Sequence, residues 1–252
     1  MLKTRIIPTL LYKKVGLVKG KSFDSWRRVG TSLPAVKVYC SREVDELIFL
    51  DIGATPSGST VDVAEVDSLA DECFMPLTVG GGLKTVDDIR SILRAGADKV
   101  SINTAAIEDP SLIKEASRLF GRQCVIVSID VKKLGNGSYE VFSHCGTKAT
   151  GLEPVDWAGQ AEALGAGEIL LTSIDRDGTM EGYDLELTKE VTAATTIPVI
   201  ASGGAGSYKD MYDVLTEGRA NAIAAASIFH FTQQTPREAK FYLAERHIPV
   251  RL

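Results

Sequence analysis

PLTVGGGLKT (76–85) and PVIASGGAGS (198–207) are one pattern written twice. Each is a proline, a short apolar run of strand character and a glycine pair, and the second copy begins 122 residues after the first (198 − 76 = 122). The same shift carries Glu46 onto Glu168, Ile52 onto Ile174, Gly81 onto Gly203, Gly82 onto Gly204 and Gly96 onto Gly218 without a gap. A repeat of half the chain length implies two like halves rather than a solenoid of short units. Outward from these segments, short β-branched runs alternate with longer stretches of helical period, the pattern of βα units around a parallel sheet. The expected strands are 5–11, 46–52, 76–80, 98–103, 124–130, 168–174, 198–202 and 221–226, and Val86 to Arg94 reads as a helix with Ile89, Ile92 and Leu93 on one face. Eight strands separated by helices in 252 residues fit a single (β/α)8 (TIM) barrel domain spanning 1–252, built from half-barrels of about 1–120 and 121–252. A doubly wound open sheet is the alternative.

Composition narrows the function classes. Hydrophobic residues make up 44% and charged residues 24%, as in ordinary globular proteins. A net charge of −5 argues against nucleic acid as the main partner, since phosphate backbones call for basic faces. Cys40, Cys73, Cys124 and Cys145 show no CxxC spacing and read as free thiols of a reducing compartment, with no metal or cofactor site implied. No signal peptide and no apolar run of about 18 residues is seen, so a cytoplasmic protein without membrane partners is expected.

In such a barrel the chemistry sits at the C-terminal ends of the strands. Gly80-Gly81-Gly82 and Gly203-Gly204 leave strands three and seven there, followed by helix N-termini that favour anions. The next strands end in Asn103-Thr104 and Ala226-Ser227, which complete each cradle. Alone, a glycine pair after a strand is as readily a tight turn. Two at equivalent positions predict two phosphate sites across one mouth, hence a ligand phosphorylated at both ends.

Carboxylates end strand two (Asp51) and strand five (Asp130), and Asp175 and Asp177 follow strand six. Each is a candidate general acid or base, with turn capping the plainer role, above all for Asp175. Lys13 and Lys19 are the cationic candidates of the first loop, unless they are ordinary solvated lysines. A shift of 119 lays RIIPTLLYKK (5–14) on CVIVSIDVKK (124–133) and sets Leu11 opposite Asp130 (130 − 11 = 119). One half therefore carries an acid where the other carries an aliphatic side chain that moves no proton.

LTVGGG, AGADKVSINTAA, GAGEILLTSIDRDGT, YDLEL, PVIASGGAG and AASIFHF together resemble the cyclase, or synthase, subunit family of imidazole glycerol phosphate synthase in histidine biosynthesis, over nearly the whole chain. The resemblance implies a lyase-type barrel that takes ammonia from a glutaminase subunit docked below and delivers it to a bisphosphorylated ribulosyl intermediate above. By position it implies phosphate contacts at Gly82, Asn103 and Thr104 at one end, and at Asp177, Gly178, Gly204, Ala226 and Ser227 at the other. It makes Asp130 one of two catalytic aspartates and Lys19 the first-loop lysine, and it makes Arg5, Glu46, Lys99 and Glu168 a charged ring through which ammonia enters. Read from the residues alone, that ring is equally two salt bridges plugging the barrel floor.

Leu11 departs from the family, which has its other catalytic aspartate there. The first loop, LLYKKVGLVKGKSFDSW (10–26), also departs from the usual Asp-Val-Lys-Asp-Gly start. In this loop and in REVDELIFLDI (42–52) the chain is similar to paralogues encoded with surface-polysaccharide genes, whereas its tail (225–250) resembles the histidine-pathway enzyme. The paralogue resemblance implies that ammonia passes to a third protein, which converts an acetamido sugar to an acetamidino sugar. Three functions follow: an ammonia-supplying paralogue with impaired cyclase chemistry, an active cyclase, or a bisphosphate-sensing activator of the glutaminase.

Overall fold

The computed structural model describes residues 3–252. Among the described residues twelve strands occur: β1 (Arg5–Lys13), β2 (Gly16–Lys21), β3 (Asp24–Gly30), β4 (Leu47–Asp51), β5 (Leu77–Gly80), β6 (Lys99–Ile102), β7 (Val125–Lys133), β8 (Tyr139–Ser143), β9 (Lys148–Ala149), β10 (Glu168–Ser173), β11 (Val199–Ser202) and β12 (Ala222–Ala225). The helices are α1 (Ser32–Ser41), α2 (Val63–Ala70), α3 (Val86–Arg94), α4 (Thr104–Glu108), α5 (Ser111–Phe120), α6 (Pro154–Leu164), α7 (Leu185–Ala194), α8 (Tyr208–Thr216), α9 (Ser227–Phe231) and α10 (Pro236–Ala244). Eight strands pair in parallel around a closed ring, β1-β4-β5-β6-β7-β10-β11-β12 and back to β1. This is the (β/α)8 barrel, and closure leaves its sheet without a free edge.

The parallel strands are buried on both faces, which is why they read as unbroken apolar runs rather than alternating ones. Their outer faces pack under the helices in one large core. Inside the barrel a smaller cluster of Ile7, Ile48, Ile126, Leu170, Ile200, Ala222 and Ala224 fills the axis. Helix α3 spans the residues its periodicity predicts. Ile89 and Ile92 are buried, and a capping box between Thr85 and Asp88 starts the helix. Among the described residues no helix is long and apolar enough to cross a membrane.

Two additions were not expected from the sequence. Strands β1 and β7, the first of each half, run on past the barrel to residues 13 and 133, and there they pair antiparallel with β2 and β8. Outside the closed ring the backbone needs new partners, and the hairpins β2–β3 and β8–β9 provide them.

Candidate active-site mouth and barrel floor

A cavity of about 510 Å³ opens at the C-terminal ends of the strands, and Gly81, Gly82, Gly203 and Gly204 all line it. All four have positive φ. A Cβ on Gly81 would stand 2.6 Å from the Asp51 carbonyl oxygen, and one on Gly203 would stand 2.6 Å from that of Ser173, itself 122 residues further on (173 − 51 = 122). Side chains at Gly82 and Gly204 would meet the Ser59 and Gly182 carbonyl oxygens at 2.0 and 2.1 Å. The pairs are thus glycine first because the loops after β4 and β10 press against them. The helices that follow do not present bare N-termini. Capping boxes close α3 (Thr85, Asp88) and α8 (Ser207, Asp210) on themselves. Helices α4 and α9 start at the mouth instead. Their N-caps, Asn103 (φ −128, ψ −86) and Ala226 (φ −127, ψ −68), share one backbone shape and make no side-chain capping bond.

Asp130 stands at the base of this mouth. Asn103 Nδ2 donates to its Oδ2 at 2.7 Å and Ser128 Oγ to its Oδ1 at 3.4 Å. Burial pushes its pKa up to about 7; the Ser128 hydroxyl opposes the rise and the Asp177 charge adds to it. A carboxyl poised there exchanges a proton readily near neutrality. Leu11 lines the same cavity from β1. Thr9 Oγ1, Asn103 Oδ1 and Ser227 Oγ, on residues that also line the mouth, are buried with no hydrogen-bond partner among the described residues. Asp51 caps its own turn, accepting from the Gly53 and Ala54 amides, and Asp175 accepts from the Lys133 amide.

The first-loop hairpin is pinned across the opening. Lys19 Nζ lies 2.6 Å from Asp177 Oδ1 in a pair that is nearly fully buried on the lysine side, and the Ser22 amide donates to the Asp177 carbonyl at 2.7 Å. A Cβ on Gly178 would stand 2.2 Å from the Gly20 carbonyl oxygen, so the two loops touch backbone to backbone. Asp177 accepts from Lys19 with its carboxylate and donates its amide to the Ser173 and Ile174 carbonyls, so its charge is paired and its N–H is already engaged.

At the opposite end, four charges close the floor. Arg5 reaches Glu46 at 2.6 Å and Glu168 at 2.7 Å, and Lys99 reaches Glu46 at 3.0 Å and Glu168 at 2.8 Å. Thr78 Oγ1 adds a bond to Glu46 Oε1 at 3.0 Å. Burial alone would raise the Glu168 pKa, but the bonds from Arg5 and then Lys99 hold it below the ordinary glutamate range. The ring alternates in sign, and every member has at least two partners.

A family model described as "Histidine biosynthesis protein" matches residues 5–235. Over all 252 residues the chain is 50% identical to "Imidazole glycerol phosphate synthase subunit HisF" of Dehalococcoides mccartyi, covering 100% of this chain and 99% of that one. This chain belongs to the imidazole glycerol phosphate synthase cyclase family. Within that family its sequence carries Leu11 and Asp130 at the mouth and the full floor ring.

The structure adds mouth residues to those carried over from the family resemblance. Lys13 Nζ sits 4.3 Å from the Trp26 ring centre, and Trp26, Phe23, His144 and Cys145 all line the cavity. The His144 amide donates to Thr104 Oγ1 at 3.0 Å, tying the second hairpin to the start of α4. Burial pushes the Cys145 thiol up to about 11, so it stands protonated at neutral pH. A sequence signal for this hairpin exists: Asn136-Gly137 between apolar-alternating segments marks a tight turn, and Gly137 takes φ +89. Phe23 and Trp26 carry no such signal.

Proposed function

We propose that this chain is the ammonia-receiving synthase subunit of a glutaminase pair, and that its own cyclisation chemistry is lost or impaired. The observation that carries this reading is Leu11: it lines the mouth with Asp130, in the position equivalent to that acid, while the floor ring stays complete. A neutral molecule crosses a ring of paired charges and the aliphatic axis without the desolvation cost an ion meets. At the top, Gly82, Asn103 and Thr104 on one side, and Gly178, Gly204, Ala226 and Ser227 on the other, hold the two ends of a bisphosphorylated ligand, with Lys19 kept in place by Asp177. Asp130 moves the one proton the site can handle. In the further step, ammonia passes on to a third, sugar-amidating protein of surface-polysaccharide synthesis. The similarity of residues 42–52 and of the first loop to the paralogues supports that step.

The full-length identity to a HisF subunit and the tuned Asp130 favour a second reading, an active cyclase of histidine biosynthesis. Ammonium chloride in place of the glutaminase decides between them. With the bisphosphorylated ribulosyl substrate, the proposed function expects imidazole glycerol phosphate formation near background and no rescue of a histidine auxotroph. Efficient turnover that falls about 10²–10⁴-fold in Asp130→Asn establishes the active cyclase instead.

A further inference from the structure

The two halves of the mouth differ by more than one side chain. On the interior face of β7 the order is Ile126, Ser128, Asp130; on β1 it is Ile7, Thr9, Leu11, each 119 residues earlier. Ile7 and Ile126 share the inner cluster, and the four residues above them line the mouth. The ladders agree on one side: Thr9 and Leu11 pair with Ile48 and Leu50, while Ser128 and Asp130 pair with Leu170 and Thr172, a shift of 122 in the partners (170 − 48 = 122, 172 − 50 = 122). In the second half the hydroxyl two residues before the acid is bonded to it. In the first half the equivalent hydroxyl, Thr9 Oγ1, is buried with no partner among the described residues, on a residue only 8% exposed.

A buried hydroxyl without a partner is costly, and a valine of the same shape would remove the cost. Thr9 Oγ1 stands where its counterpart, Ser128 Oγ, holds a carboxylate. We infer that Thr9 is a positioning residue for a carboxylate at position 11, so that the first half-barrel keeps the socket of a second acid–base group although the acid itself is replaced by leucine. This rests on the reading that Leu11 is what removes the cyclase chemistry. The charged and titratable groups sharing the mouth are Lys13, Lys19 and Asp24 from the first strand and its hairpin, Asp51 from β4, Lys84, Glu108, Asp130 from β7, His144, Cys145 and Asp177 from the loop after β10, and His230 bonds the Thr9 backbone beside it. The cations favour an ionised acid at position 11 and the aspartates oppose it. Thr9 supplies the directed bond that fixes its orientation.

The experiment is a ¹³C-carboxyl NMR titration of full-length Leu11→Asp, alone and combined with Thr9→Val or Thr9→Ser. A hydroxyl that donates to the carboxylate favours its charged form. The new acid is therefore expected to titrate about one pH unit lower with Thr9 or Thr9→Ser than with Thr9→Val. Identical titration in all three backgrounds overturns the inference. Should Leu11→Asp fail to fold, Leu11→Asn gives the same answer by thermal melting. Thr9→Val is expected to raise the parent's Tm by roughly 2–4 °C and to lower that of Leu11→Asn. The same direction of change in both backgrounds overturns it. Cyclase assays with ammonium chloride keep the underlying reading separate: rapid turnover by the parent chain defeats that reading, whereas a Thr9-independent titration defeats the socket alone.

Discussion

The floor and the mouth of this barrel are both polar sites on one axis, yet they treat polar atoms in opposite ways. At the floor Arg5, Glu46, Lys99 and Glu168 satisfy one another in a closed ring, with Thr78 bonded to Glu46. At the mouth Thr9, Asn103 and Ser227 each keep a buried oxygen without a protein partner, and Asp130 is held near neutrality rather than paired with a cation. Satisfied charges fix one geometry. Unsatisfied groups cost stability and are retained where something else is to be bound or protonated. The contrast, drawn without reference to any relative, is between a self-satisfied floor and a mouth with unmet polar groups.

The largest effect that would sharpen this contrast is at the floor. Glu46→Ala removes the partner of Arg5, Lys99 and Thr78 at once, and breaking a buried pair typically costs about 3–5 kcal/mol. Urea unfolding should show a loss of that size. A loss under about 1 kcal/mol would mean the ring is solvated and not a structural seal. A second test uses pH, where the two sites pull in opposite directions. Glu168 has a lowered pKa, so its stabilisation is present above the ordinary value of 4.5 and is lost as pH falls through the folded pKa. Asp130 has a raised pKa, so the folded state holds its proton more tightly, and stability declines as pH rises from about 4 to about 7. Melting curves should therefore show Asp130→Asn gaining on the parent across that upper window and Glu168→Gln converging with it at acid pH. Parallel curves for parent and both variants would erase the distinction. The smallest effect belongs to the rim: Trp26→Ala removes a partly exposed lysine–aromatic contact worth about 0.5–1 kcal/mol, read by a double-mutant cycle with Lys13→Met.

Much of this was legible beforehand, for identifiable reasons. A barrel strand buried on both faces leaves an apolar run of fixed length, so the eight strands emerged within a few residues of their observed ends. The floor residues were placed together by the family resemblance, and their positions at or just before strand starts agree with it. Two things stayed hidden. The hairpins at 16–30 and 139–149 lie outside the repeat, and their strands are too short and polar to announce themselves, although Asn136-Gly137 marked one turn. The glycine pairs were read chiefly as anion cradles, whereas their immediate neighbours are backbone carbonyls of adjoining loops, a crowding that spacing in sequence does not reveal. Likewise, Asp177 was placed by resemblance among phosphate contacts, and only the fold shows its carboxylate turned to Lys19.

The seven aliphatic side chains along the axis touch one another closely enough that no open bore runs between the two ends, since each is essentially inaccessible to solvent. Any small guest must therefore travel by momentary side-chain rotations. Passage through the middle is thus gated by buried side chains and not by a standing pore.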